Sequence, residues 1–182
     1  MTRGRQVALI RGINVGRAKR VAMADLKLLV EDFGYTDVRT LLNSGNVVFT
    51  APKDTPTEAA ARIEKALVLR LDVEARVVVL SAAELARVVD ENALLKRVDD
   101  PSRHLVAIPI ERTDLPKLKP LLKEKWGDDA FAMGTVAAYL WCATGILESP
   151  LLKAVSRALK DAVTTRNWAT ILKLQGLLAA KG

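Results

Sequence analysis

The chain runs twice through one order of residue periodicities, and any fold has to satisfy both passes. In the first pass, residues 6–10 form a short apolar run bounded by Arg and Gly, the pattern of a buried strand. Met23, Leu26, Leu29, Val30 and Phe33 then follow at helical spacing, with Gly34 where a helix would stop. Residues 38–42 and 47–49 flank Asn43-Ser44-Gly45-Asn46, whose glycine and asparagines tolerate positive φ, so the pair reads as a β-hairpin. Thr57 is placed to cap a helix with Ile63, Ala66, Leu67 and Leu71 inward. Residues 76–80 read as a strand, and Ser81 with Glu84 as a capping box for a helix carrying Leu85, Val88 and Val89.

The second pass follows a polar, mixed-charge stretch at 92–103. Residues 104–110 read as a strand and 113–126 as a helix with Leu115, Leu118, Leu121, Leu122 and Trp126 inward, Pro116 being tolerated in its first turn. Residues 130–133 and 136–142 flank Gly134-Thr135 as a second hairpin. Ser149-Pro150 opens a helix through Leu151, Leu152, Val155 and Leu159, residues 162–164 are a short strand, and Thr165 caps a final helix. The expected architecture is α+β: two ferredoxin-like halves, βαββαβ plus a helix, each an antiparallel sheet with helices on one face. The expected division is 1–91, a connector at 92–103, and 104–182, together one compact unit.

Composition removes several chemistries. Half of the 182 residues are hydrophobic, enough for a buried core, and no apolar run has the length of a membrane span. The amino end has no secretory leader pattern, so the expected compartment is the cytoplasm. One cysteine, Cys142, and one histidine, His104, leave no disulfide framework, no Cys/His metal cluster and no histidine-based nucleophile relay to expect. Cys142 reads as an inert buried thiol on a strand.

The net charge of +7 lies at the two ends. Arg3, Arg5, Arg11, Arg17, Lys19 and Arg20 stand in the first 20 residues without an acid. Lys153, Arg157, Lys160, Arg166, Lys173 and Lys181 stand near the other end against Asp161 alone. Such ends are either solvated surface or, if they meet, an attractor for anions.

Two motifs coincide with these ends. Arg11-Gly12-Ile13-Asn14-Val15-Gly16-Arg17 follows a strand and precedes a helix. Glycines four apart allow a tight turn and close approach of amides to an anion, while the arginines supply charge-assisted hydrogen bonds. It has neither the Walker spacing nor a Gly-x-Gly-x-x-Gly pattern. Thr164-Thr165-Arg166-Asn167-Trp168 is read at the start of the last helix, where unpaired amides and the dipole favour an anion. There Thr165 reads more as a cap and Trp168 as a core anchor, leaving Arg166 and Asn167 as the polar candidates. Ser44 and Asn46 could add a hydroxyl and amides from the first hairpin turn.

Arg11-Gly12-Ile13-Asn14-Val15-Gly16, Met23 with the helix through Leu26, Ser44-Gly45-Asn46-Val47-Val48-Phe49 and Thr164-Thr165-Arg166-Asn167-Trp168, in that order, resemble the bacterial family called domain of unknown function 1697. The chain differs from its usual pattern at Ala22, where proline is common, and at Ala169, where asparagine is common. The resemblance implies a duplicated ferredoxin-like fold and no assigned activity.

The sequence names no reaction and no cofactor. The expected function is binding of a small phosphorylated or carboxylate ligand by Arg11, Gly12, Asn14, Gly16, Arg17, Ser44, Asn46, Thr165, Arg166 and Asn167, with no metal. Any catalysis would be electrostatic, through Arg11, Arg17 and Arg166, with Asn14 and Asn167 orienting the substrate. The alternatives are a module gripping the phosphate backbone of nucleic acid, or a homo-oligomeric interaction protein without catalysis. Only eight aromatic residues, and none in the first strand, speak against base stacking.

Overall fold

The computed structural model describes residues 4–16, 19–97 and 100–180. The chain divides into two units, one made of residues 1–83 with 174–182 and the other of 84–173. In chain order the elements are β1 (Arg5–Ile10), α1 (Met23–Glu31), β2 (Thr36–Leu41), β3 (Asn46–Thr50), α2 (Pro56–Leu71), β4 (Val77–Ser81) and α3 (Ala82–Asp90). After a short 3₁₀ turn (Leu95–Arg97) come β5 (His104–Pro109), a 3₁₀ helix (Arg112–Lys123), β6 (Ala130–Met133), β7 (Ala138–Trp141), α4 (Pro150–Leu159), β8 (Val163–Asn167) and α5 (Trp168–Ala179). The first sheet has the order β2-β3-β1-β4 and the second β6-β7-β5-β8, both antiparallel throughout. That is the ferredoxin-like order, reached twice.

The strand period of two builds the first core. Ala8 and Ile10 of β1, Val47 and Phe49 of β3, and Val77 and Val79 of β4 share one cluster with Leu26 and Leu29 of α1 and Ile63 and Leu67 of α2. Thr55, not Thr57, caps α2: its side chain accepts from the Glu58 N–H while the Glu58 carboxylate accepts from the Thr55 N–H at 2.8 Å. Pro56 then occupies the first helical position, where a missing N–H costs nothing. Ser81 closes β4 and Ala82 opens α3 directly.

In the second unit the expected α-helix at 113–126 is a 3₁₀ helix, Arg112–Lys123. Pro116 and Pro120 stand four apart, so in an α-helix the Pro120 ring would meet the Pro116 carbonyl and the bond between them would be missing. The tighter coil has three residues per turn, which aligns Leu115, Leu118 and Leu121 in the core and leaves Leu122 51% exposed. Trp126 lies beyond the helix and donates from Nε1 to the Leu121 carbonyl. The core is completed by Leu105, Ala107, Ala138, Leu140, Leu151, Val155 and Leu159. Cys142 is buried there, and burial pushes its thiol up, as expected of an unreactive cysteine.

The β6–β7 turn is tied to the residue after α3. The Glu91 carboxylate accepts from the Thr135 N–H at 2.6 Å and from its hydroxyl, and these bonds hold the carboxyl below the usual range. A Cβ on Gly134 would lie 2.5 Å from a Glu91 carboxylate oxygen and 3.1 Å from both Glu91 Cβ and Tyr139 Oη. Gly134→Ala is therefore expected to break this tie and destabilise the protein by about 1–2 kcal/mol, read as a lower denaturation midpoint. An unchanged midpoint would mean that the Glu91 carboxylate swings away without consequence.

Candidate functional site

The first motif is built where β1 ends and β3 and β4 begin. Ile10 donates to the Gly45 carbonyl at 2.9 Å and Arg11 to the Arg76 carbonyl at 2.9 Å, so the chain leaves the sheet pinned on both sides. Gly12 (φ 70°), Asn14 (φ 57°) and Gly16 (φ 54°) are left-handed, whereas Ile13 and Val15 between them are not. Alternation of left-handed and other residues is the backbone pattern from which anion-binding nests are made, although here the Asn14 N–H donates to the Lys19 carbonyl at 3.3 Å. Glycine supplies two of the three left-handed positions without strain, and a Cβ on either would meet nothing within 4 Å.

Asn14 holds the loop in that shape. Its Nδ2 donates to Val21 O at 2.8 Å and to Asn43 O at 2.9 Å, while its Oδ1 accepts from the Val21 N–H at 2.8 Å. These bonds tie the loop to itself and to the hairpin turn, so Asn14 positions the backbone. Asn46 works similarly: fully buried, it donates to Leu41 O and to Ser44 Oγ, each at 2.9 Å. Gly12 and Gly16 are exposed, Arg11 is half-buried, and Arg20 is exposed. Lys19 pairs with Asp72 at 3.0 Å and Arg76 with Glu64 at 3.1 Å. Arg17 lies outside the described residues.

The second motif is corrected. Thr165 and Arg166 are interior to β8, opposite Ala107 and Val106 of β5, and the helix starts only at Trp168. The strand continues because five successive residues find partners on β5, more than a cap at Thr165 would satisfy. Asn167 is the cap: its Oδ1 accepts from the Thr170 N–H at 2.9 Å and from the Thr170 hydroxyl at 2.8 Å. Arg166 is 9% exposed and donates from Nη1 to Thr164 Oγ1 and to Thr165 O, both at 2.8 Å. Burial lowers its pKa to about 10, which leaves it cationic at neutral pH. Its guanidinium is thus carried by a strand, and not by a helix start.

Two polar clusters escaped the sequence reading. In the first unit the Tyr35 hydroxyl donates to Asp54 Oδ2, which also takes Arg62 Nη1 at 2.5 Å. Tyr35 stacks on Phe49 at 5.0 Å between centroids, and Arg62 lies over the Phe33 ring at 5.3 Å. Burial, reinforced by Asp54, pushes Tyr35 up to about 12; the Tyr35 and Arg62 bonds hold Asp54 below the usual carboxylate range. In the second unit His104 is fully buried, stacks on Trp168 at 5.4 Å and has Nε2 3.2 Å from Asn92 Nδ2. Both clusters join residues remote in sequence, and the only local signal was Thr55-x-x-Glu58 beside Asp54.

Among the described residues no three His, Cys, Asp or Glu side chains gather as a metal site, and no helix is long and apolar enough to cross a membrane.

The fold recurs elsewhere. The structure of the conserved bacterial protein SP0830 from Streptococcus pneumoniae matches with a TM-score of 0.79, covering 96% of this chain and 98% of that one at 22% identity. No curated protein matches. A family model described as "Protein of unknown function (DUF1697)" matches residues 3–139, a span that includes the 11–16 loop and the Ser44-Gly45-Asn46 turn. With well over half of its length under that model, the chain belongs to this family of proteins of unknown function, as its motifs lead one to expect.

Proposed function

We propose that the protein binds a small anionic ligand, phosphorylated or carboxylate, on the backbone amides of the loop after β1. The observation that carries this reading is the alternation of left-handed residues Gly12, Asn14 and Gly16, held by the Asn14 side chain. Arg11 and Arg20 flank the loop in sequence and would supply charge, and the Asn43–Asn46 turn is joined to the same segment through Asn14 and Ile10. Arg166 and Asn167 have internal hydrogen-bond duties, so the reading rests on the first unit.

The test is a thermal-shift and calorimetric screen of inorganic phosphate, sugar phosphates, nucleotides, carboxylates and short RNA at two salt concentrations. A small anion should raise the melting temperature by mass action. Arg11→Ala should weaken it about tenfold or more, as expected for loss of one charge-assisted hydrogen bond. Stabilisation by any RNA that disappears at high salt would point instead to backbone binding of nucleic acid. Silence from every anion would sink the reading.

A further inference from the structure

Helix α4 and its cap carry a row of like charge. Lys153, Arg157 and Lys160 follow at i, i+4 and i+7, the spacing of one helical face, and all three are exposed. The helix, Pro150–Leu159, contains no acid, and among the described residues none of the three cations pairs with a carboxylate. Two of them stand where folding disfavours them. Lys153 is near the helix N-terminus, where the dipole repels a cation, and it also faces Arg157 one turn on. Lys160, the cap, has φ 50° and ψ −120°, a backbone conformation that suits glycine better than lysine. Cations held at such positions without a counter-charge are stabilised by an anion that reaches them from solvent.

The same three side chains line a cleft of about 500 Å³ together with Ile146, Leu147 and Leu152. The volume is within the range of small-molecule sites, roughly 300–1,000 Å³. Ile146 and Leu152 pack against the second core, whereas Leu147 is 87% exposed. The loop that carries Ile146 and Leu147 is fixed at its base: the buried Ser149 hydroxyl donates to Asp129 Oδ2 at 2.7 Å, and Asp129 Oδ1 accepts from the Ala143 N–H at 2.8 Å. Ser149 Oγ also accepts from the Leu152 N–H at 3.1 Å, so loop and helix are joined and the cleft is preformed. The neighbouring acids Glu148 and Asp161 are outside its lining.

A ligand must answer both kinds of wall. Inorganic phosphate would leave the leucines in water, and an uncharged alkyl chain would leave the cations unmatched. Nucleic acid would find no aromatic ring in the lining on which to stack a base. We infer that this cleft binds a small single-chain amphiphile, an acyl or alkyl chain ending in a carboxylate or phosphate, with its tail against Ile146, Leu147 and Leu152 and its head among Lys153, Arg157 and Lys160. The inference concerns the second unit and is separate from the loop after β1.

The experiment follows the backbone amides of Leu147, Ser156 and Arg157 by ¹H–¹⁵N NMR while octyl phosphate or decanoate is added to the full chain below its micelle concentration. Octyl glucoside is the tail without the charge, and inorganic phosphate the charge without the tail. At least one anionic amphiphile should give saturable shifts at these amides at concentrations where neither control does. Leu147→Ser, at an exposed position, and Lys160→Gly should each weaken binding about fivefold or more. Lys160→Gly should do so without lowering the melting temperature, because glycine suits that backbone. Absence of saturation with both amphiphiles, equal shifts with either control, or undiminished affinity in either variant would overturn the assignment. So would shifts given only by vesicles of phosphatidylglycerol, which would mark the face as a membrane contact instead.

Discussion

Gly45→Ala is expected to lower stability by about 3 kcal/mol and to abolish anion binding at the loop after β1. Two costs combine. Gly45 has φ 78°, a left-handed conformation that costs an L-residue about 1–2 kcal/mol. The added Cβ would also lie 2.8 Å from Ile13 Cδ1 and 3.0 Å from Ile10 Cβ, and overpacking of that kind costs about 1–3 kcal/mol. Both isoleucines are buried in the first core, and Ile13 lies inside the 11–16 loop, so the clash is transmitted to the amides proposed to bind the ligand. Gly12→Ala is the comparison: its φ of 70° carries the conformational cost, but its Cβ meets nothing within 4 Å. It should cost only about 1–2 kcal/mol. Denaturant midpoints of the two variants decide the matter; equal losses would show that the packing of Gly45 against Ile13 contributes nothing.

Acidification through the weakly acidic range should remove about 3 kcal/mol, and His104 is the cause. The Asn92 amide is oriented by its Oδ1, which accepts from the Leu94 N–H at 3.0 Å, so its Nδ2 donates to His104 Nε2. The ring proton therefore sits on Nδ1, which is buried with no partner among the described residues. Nothing stabilises a second proton, and burial pushes the folded pKa down to about 4. In the unfolded chain His104 titrates near the ordinary value of about 6.5. Between those values the unfolded state binds a proton that the folded state does not, so stability is complete above about pH 6.5 and falls as pH drops toward about 4. The difference of about 2.5 pK units corresponds to about 3 kcal/mol. His104 is the chain's single histidine, and the carboxylates with resolved shifts, Asp54, Glu58, Glu91 and Asp100, are all lowered and titrate further down. Unfolding free energies measured across this range in the wild type and in His104→Phe should differ in slope. A variant with the same slope as the wild type would remove His104 as the source.

The elements that were legible have periodicities that local physics alone dictates. Residues 6–10, the hairpin around Ser44-Gly45 and the Ser149-Pro150 helix start all appear within a residue or two of their expected positions. Misreadings arose where two local signals competed. Thr57 and Thr55 both suit a cap, and only Thr55 has Glu58 three residues on. The 113–126 segment has a helical apolar pattern, but its two prolines select the tighter coil. Thr165 suits a cap as well as a strand, and the ladder with β5, formed by residues some sixty positions away, takes precedence.

The site divides in the same way. Gly12, Asn14 and Gly16 could be chosen from the sequence because left-handed backbone favours those residue types wherever it occurs. The clamp from Asn14 to Asn43, the burial of Arg166, the cleft that Ile146 and Leu147 form with α4, and the solitary His104 ring could not. By itself the sequence determined the order of elements, the duplicated α+β fold and the turn chemistry, since those depend on residues a few positions apart. The tertiary structure alone decided which polar atoms are paired, which are left unmade, and which charged and apolar side chains share a cleft. Desolvation and hydrogen bonding are set by neighbours brought together from distant parts of the chain.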